Sequence, residues 1–211
     1  MKNKYILFDF DGVIADSFDL AFEINKMVCP HLTEESCRRR FEGNINDWEK
    51  ADTEHTDKCR HDIKFFDEYI PRMKELVTVV SGMDRVLAAL SKKYQQIIVS
   101  STITSPIHDF MDKYNLSSYF VEIMGNDVHA SKIEKIKIIF SKYGITSKDC
   151  VFITDTLGDM REAQQAQVGT IGVSWGFHKL DTLESGAPFR IVSKPEDLET
   201  AISDYFAAFC N

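Results

Sequence analysis

Short apolar runs recur along this chain, each too short for a helix and several ending on a hydroxyl or a carboxylate. Residues 5–8 read YILF and lead into Asp9; residues 96–101 read QIIVSS, 150–155 read CVFITD and 170–175 read TIGVSW. Runs of this length, rich in Ile and Val, are buried strands. Segments with helical spacing of apolar residues lie between and beside them, at 83–92, 105–114, 132–143 and 157–167, and a weaker strand signal, VEIM at 121–124, precedes Gly125. Strand and helix in alternation build parallel βαβ units. Strands apolar along their whole length need a sheet covered on both faces, so the pattern predicts an α/β fold with a doubly wound, Rossmann-like parallel sheet. Ligands of such open sheets bind outside the carboxyl ends of the strands, and Asp9, Ser100 and Asp155 all fall at that edge.

The first run is the most demanding. It delivers Asp9 and Asp11 and then Gly12 at the end of a buried strand, a costly arrangement unless a cation sits there. Magnesium is the simplest such cation. A carboxylate held against Mg²⁺ beside a glycine-opened turn also suits covalent phosphoryl transfer, in which one aspartate attacks phosphorus and the other handles the proton. Taken alone, Asp11-Gly12 reads equally well as an ordinary turn.

From residue 17 to residue 80 the alternation breaks. This stretch is rich in charge and aromatics, and Phe18, Ala21 and Phe22, then Ile63, Phe66 and Ile70, recur with helical spacing. It reads as a helical insert after the first strand, leaving 1–16 plus 81–211 as the α/β core. Pro30 and Gly43-Asn44 punctuate the insert, and Pro71 is expected to end or kink its last helix. Asp16 is placed to cap the first helix. Residues 195–209 read as a closing amphipathic helix with Leu198, Ile202 and Phe206 on one face.

A net charge of -8 and a pI near 5.3 argue against a nucleic-acid partner. The first apolar run meets Asp9 too early for a secretory signal and no later stretch approaches a membrane span, so a cytoplasmic location is expected. The five cysteines, at 29, 37, 59, 150 and 210, are odd in number and scattered, which suits reduced thiols better than a disulfide framework. Cys150 opens a strand and reads as a small core residue. Oligomeric state has no signature in the sequence.

With DFDGVIADS at 9–17, IIVSS at 97–101, a lysine at 132 and ITDTLGD at 153–159, the chain resembles the haloacid dehalogenase superfamily of phosphohydrolases. The nearest branch is the one containing phosphoglycolate phosphatase and β-phosphoglucomutase. The four motifs come in that family's order, at strand ends or helix starts. Thr154 stands where the family usually has glycine, and Ile133-Glu134 follow Lys132 where relatives often carry proline.

The resemblance implies a Mg²⁺-dependent phosphatase acting on a small phosphorylated metabolite through an aspartyl-phosphate. Asp9 would be the nucleophile and Asp11 the general acid and base. Asp9, the Asp11 carbonyl, Asp155 and, directly or through water, Asp159 would hold the metal. Gly12, Ser100, the Ser101 backbone N–H and Lys132 would receive the phosphoryl group. A lysine at a helix start is at the wrong end for a cation, which favours a functional role for Lys132.

The insert corresponds to the family's helical cap, which closes over the site and reads the rest of the substrate. Arg38, Arg39 and Arg40 either reach a second anionic group or form a solvent-facing charge run. His55, Cys59 and His61 lack the paired spacing of a zinc site, and Trp48 and Phe65 read as core of the insert. Phosphomutase action is the alternative within enzymes; a non-catalytic phospho-ligand binder is the alternative outside them.

Overall fold

The computed structural model describes residues 4–47 and 59–209. Its core is a parallel sheet of six strands: β1 (Tyr5–Phe8), β4 (Gln95–Val99), β5 (Glu122–Met124), β6 (Cys150–Thr154), β7 (Gly169–Val173) and β8 (Arg190–Val192), in the order β5-β4-β1-β6-β7-β8. β1 lies at the centre, with Leu7 level with Ile97 on one side and Phe152 on the other. The chain therefore builds outward from β1 to β5, returns, and builds outward again to β8. Asp9 follows the central strand at this reversal, the place where open α/β sheets form a crevice.

Alternation along β1 decides what covers each face. Ile6 and Phe8 share one apolar cluster with Val86 and Leu87 of α4 (Met83–Ser91), Ile107 and Phe110 of α5 (Thr104–Lys113), and Leu198 and Ile202 of α9 (Leu198–Phe209). Tyr5 and Leu7 join the opposite cluster with Ile136 and Ile139 of α6 (Lys132–Tyr143) and Ala163 of α7 (Leu157–Gln165). Both faces are covered, as the unbroken apolar runs require. Cys150 is fully buried at the start of β6, in the role read for it.

A short edge strand and a short helix escaped the sequence reading for physical reasons. β8 is an edge strand of only three residues, RIV, whose pairing with β7 comes from tertiary contact and not from a long apolar run. The short helix α8 (Leu180–Ser185) buries Leu183 and has no sustained periodicity.

The insert is tied to the core by a two-stranded antiparallel ribbon of β2 (Ala15–Asp16) and β3 (Thr78–Val79). Between them lie α1 (Phe18–Val28), α2 (Glu34–Arg39) and α3 (Phe65–Leu76). Asp16 is therefore a ribbon residue, and Ser17 occupies the N-cap position of α1. Pro71 does not end α3, which runs on to Leu76. Its ring faces solvent while Tyr69 and Met73 are buried, so the apolar stripe that anchors the helix is intact.

Cys29 and Cys59 form a disulfide across 30 residues of the insert, correcting the expectation of reduced thiols for this pair. They pack with Leu32 and Cys37, so folding of the insert brings together cysteines whose spacing carried no signal. Trp48, His55 and Cys210 lie outside the described residues. Among the described residues no helix is long and apolar enough to cross a membrane.

The insert docks against the start of α7 at a point that only glycine permits. Gly158 donates its N–H to Phe41 O at 2.9 Å, and a Cβ there would stand 2.2 Å from Gly43 O. Gly158→Ala gains helix propensity of about 1 kcal/mol but meets backbone atoms that cannot swing aside. The expected outcome is a net loss of roughly 1–2 kcal/mol in urea-unfolding stability.

Candidate active site

Asp9, Asp11, Lys132 and Asp159 line one cavity of about 470 Å³ between the sheet edge and the insert. Asp9 emerges from β1 with its N–H bonded to Ile153 O at 2.9 Å, which fixes the backbone from which the side chain projects. Lys132, at the first turn of α6, is buried; its Nζ lies 2.9 Å from Asp9 Oδ1 and 2.6 Å from Asp159 Oδ2. Burial opposes the Lys132 charge, but the two carboxylates outweigh it and raise its pKa. Burial pushes Asp9 well above the usual carboxylate range; Lys132 pulls it down and Asp159 pushes it back up. Burial would raise Asp159 too, yet Lys132 and donated hydrogen bonds hold it below the ordinary value.

Asp159 Oδ2 also accepts from Thr154 Oγ1 at 2.8 Å, so this oxygen is shared between Lys132 and Thr154. The hydroxyl that helps to orient it comes from Thr154.

Asp155 is fully buried. Its Oδ2 accepts from Phe177 N–H at 2.6 Å, while its Oδ1 has no hydrogen-bond partner. Gly12 and Gly176 make room for it: a Cβ would lie 2.0 Å from Asp155 Oδ2 at Gly12 and 2.2 Å at Gly176. Gly12 also has φ +74°, a backbone conformation that glycine adopts without strain. Its N–H donates to Ala15 O at 2.8 Å, so it is spent inside the turn and does not point at a ligand, against the expectation for Gly12. Burial raises the Asp155 carboxyl to about 7, opposed by the Phe177 N–H and reinforced by Asp159.

Among the described residues no three His, Cys, Asp or Glu side chains form a ligating cluster. Mg²⁺ asks for less, since one or two carboxylates with carbonyls, waters and substrate oxygens complete its shell. The unpartnered Asp155 Oδ1 and the all-oxygen donor set at this sheet edge fit such an ion.

Asp11 receives three hydroxyls: Ser17 Oγ at 2.9 Å, Thr102 Oγ1 at 2.7 Å and, in a short contact, Tyr69 OH. Ser17 thus turns its hydroxyl to Asp11 in place of capping α1. Burial and the Asp11 charge raise the Tyr69 phenol well above its ordinary value, so it stays a donor. Ser17 closes the 9–17 motif, Thr102 carried no motif signal, and Tyr69 arrives from the insert.

At the end of β4, Ser100 is fully buried and its Oγ accepts from Thr102 N–H at 2.9 Å. The residues of this strand end that face the cavity are Ser101 and Thr102. Beneath them Lys135, missed in the sequence, donates to Ser100 O at 2.5 Å. Burial first, and Lys132 second, lower its pKa to about 8.

A match to the haloacid dehalogenase-like hydrolase family model spans residues 6–173. The chain belongs to that family. Family relatives include a pyrophosphatase PpaX of Oceanobacillus iheyensis, 25% identical over 98% of this chain and all of its own length. A phosphoglycolate phosphatase of Aquifex aeolicus is 26% identical over 98% of this chain and all of its own. Among solved structures, a haloacid dehalogenase-like protein of Agrobacterium tumefaciens superposes with a TM-score of 0.79 over 99% of both chains at 20% identity, which bears on the fold.

Two further buried groups hold the family's motifs in register here. Glu162 Oε1 accepts from Lys132 N–H and Ser131 Oγ at 3.0 Å each and from Asn44 Nδ2 at 3.2 Å. His178 Nδ1 accepts from Leu157 N–H at 2.9 Å, so its Nε2 carries the proton and donates to Arg38 O at 2.8 Å. Glu162→Ala leaves several donors unmatched at the start of α6, and a loss of about 1–3 kcal/mol in chemical denaturation is expected. Glu162→Gln, which keeps an acceptor oxygen, is expected to recover part of it.

Proposed function

We propose that this chain is a Mg²⁺-dependent phosphatase of small phosphomonoesters that works through a phosphoryl group carried on Asp9. The observation that carries this reading is the convergence on one cavity mouth of Asp9, Asp11 and a buried lysine, beside a buried Asp155 oxygen without a partner. Asp9, Asp11, Asp155 and Asp159, if all ionised, face the buried ammonium groups of Lys132 and Lys135, which leaves a charge of -2 that a divalent cation would neutralise. Asp9, Asp155 and the Asp11 carbonyl are the groups that would hold it. When bound, Mg²⁺ supplies charge stabilisation at the phosphoryl oxygens.

Asp9 attacks phosphorus through a carboxylate oxygen, and the bond to the leaving oxygen breaks. Asp11 gives that oxygen its proton, then takes one from the water that releases phosphate from Asp9. Lys132, fixed by Asp159, balances charge on Asp9 and on the incoming phosphoryl group. Ser101 and Thr102 line the same end of the cavity and offer polar contacts to phosphate oxygens. Residues 17–80 act as a cap over the core formed by 1–16 and 81–211. Tyr69 on Asp11 and Asn44 on Glu162 link the cap to the chemistry. The relatives' phosphatase and pyrophosphatase names support the same reading.

Asp9→Asn keeps the shape of the side chain but removes its nucleophilicity. Phosphate release is expected to fall at least about a thousandfold, with the fold retained by circular dichroism. Release within tenfold of the parent protein would overturn the mechanism.

Metal binding should depend on pH in a direction set by Asp155. Without metal its pKa, raised from 3.8 to about 7, makes the proton stabilising. That contribution is complete below 3.8 and is lost as pH rises through about 7. Mg²⁺ needs the ionised form, so the gain in melting temperature from added Mg²⁺ should be larger at about pH 8 than at about pH 5.5.

A further inference from the structure

We infer that the substrate's organic part is an extended, largely apolar body, an aryl-alkyl or similar group, and not a small carboxylate or a second phosphate. The inference rests on the phosphatase reading for the end of the cavity at Asp9, and it concerns the other end.

The cavity runs along α1. Ser17, at the foot of that helix, bonds Asp11. Ala21, Asn25 and Val28, one turn after another, line the wall. At 1.5 Å per residue, Val28 stands about 16 Å along the helix axis from Ser17. A volume of about 470 Å³ lies within the range of roughly 300–1,000 Å³ that holds ligands of drug size. A two-carbon acid or a pyrophosphate would occupy only the mouth.

Away from the carboxylates the wall is aromatic and aliphatic. Phe41 meets Phe177 edge-on at 4.8 Å, and Phe65 stacks on Tyr69 at 5.1 Å. Phe66 and Ile63 complete this wall. Of the polar side chains along it, Asn25, Arg40 and Asn46 are engaged within the protein, and Lys64 is exposed to solvent. Arg40 donates to Asn25 Oδ1 at 2.8 Å, Asn25 Nδ2 donates to Ala21 O at 2.8 Å, and Asn46 Nδ2 donates to Ala130 O at 2.9 Å. Arg38 and Arg39 pair with Glu34 and Glu35 on α2. A ligand carboxylate here would lose its hydration to a wall of rings. An apolar body would replace water against it.

The test holds leaving-group chemistry constant. Phosphate release by the full-length protein with Mg²⁺ is measured for 3-phenylpropyl phosphate and for 3-carboxypropyl phosphate, which share a primary alkoxide leaving group and differ at the far end. The phenylpropyl ester is expected to have a kcat/KM at least about tenfold higher, since a single methylene in an apolar pocket is worth that much. Val28→Asp is expected to reduce this ratio at least fivefold, within the roughly 10–200-fold range that pocket contacts command. A ratio near one, a preference for the carboxylate ester, or a ratio unmoved by Val28→Asp would each overturn the assignment. If neither ester releases phosphate, the hydrolytic reading fails by itself. The pocket is then judged by calorimetric affinities of the two esters for the Asp9→Asn protein, where tighter phenylpropyl binding upholds it and equal affinity overturns it.

Discussion

Lys132 is the group on which the site depends. Its ammonium is buried between Asp9 and Asp159, and taking that much charge out of water is tolerable only because each member compensates the others. Removing one partner from such a buried set costs about 3–5 kcal/mol, since it strands a charge. A lysine at a helix start also opposes the helix dipole. Glu162 resolves that conflict by placing a carboxylate at the N-terminus of α6, where it takes the Lys132 N–H and leaves the ammonium to the aspartates. Glu162 is therefore tied through Lys132 to Asp9 and Asp159 without contacting either.

The same principle extends to the insert. Its contacts with the core fall on the motif-bearing segments: Tyr69 on Asp11, Asn44 on Glu162, the Arg38 carbonyl on His178, and Phe41 and Gly43 against Gly158. His178 is held neutral by burial, because its Nδ1 must accept from Leu157 N–H. Any movement of the insert that breaks these contacts exposes buried polar groups. The docking of the insert is in this way coupled to the order of Asp11 and Glu162.

Charge decides what the two ends of the cavity can do. The sheet edge gathers acidic groups with the ammoniums of Lys132 and Lys135, and suits a cation and a phosphoryl group together. The far end is lined mainly by rings and aliphatic groups, with Asn25 and Arg40 bonded to each other and Lys64 exposed. The relatives' names describe substrates that are small and highly charged. The mouth of this cavity lies at the sheet edge, and most of its far wall belongs to the insert.

The strands and most of the helices were legible because unbroken apolar runs and helical spacing leave few alternatives; α6 occupies residues 132–143 as its periodicity requires. That Asp9 and Asp155 share one edge was legible because the ends of adjacent parallel strands meet there. The division of labour among the side chains there was not. The sequence placed Asp16 at a helix cap, whereas folding put it in a ribbon; the pairing of Asp159 with Lys132 and the bond from Gly12 N–H to Ala15 O appear only in the fold. The Cys29–Cys59 disulfide, Tyr69 on Asp11 and the aromatic wall likewise join residues far apart in the chain. Local pattern determines elements, because backbone hydrogen bonds and apolar periodicity act over a few residues. Partnership among side chains is decided only when distant segments pack, since burial makes each charge and each donor find a mate within reach.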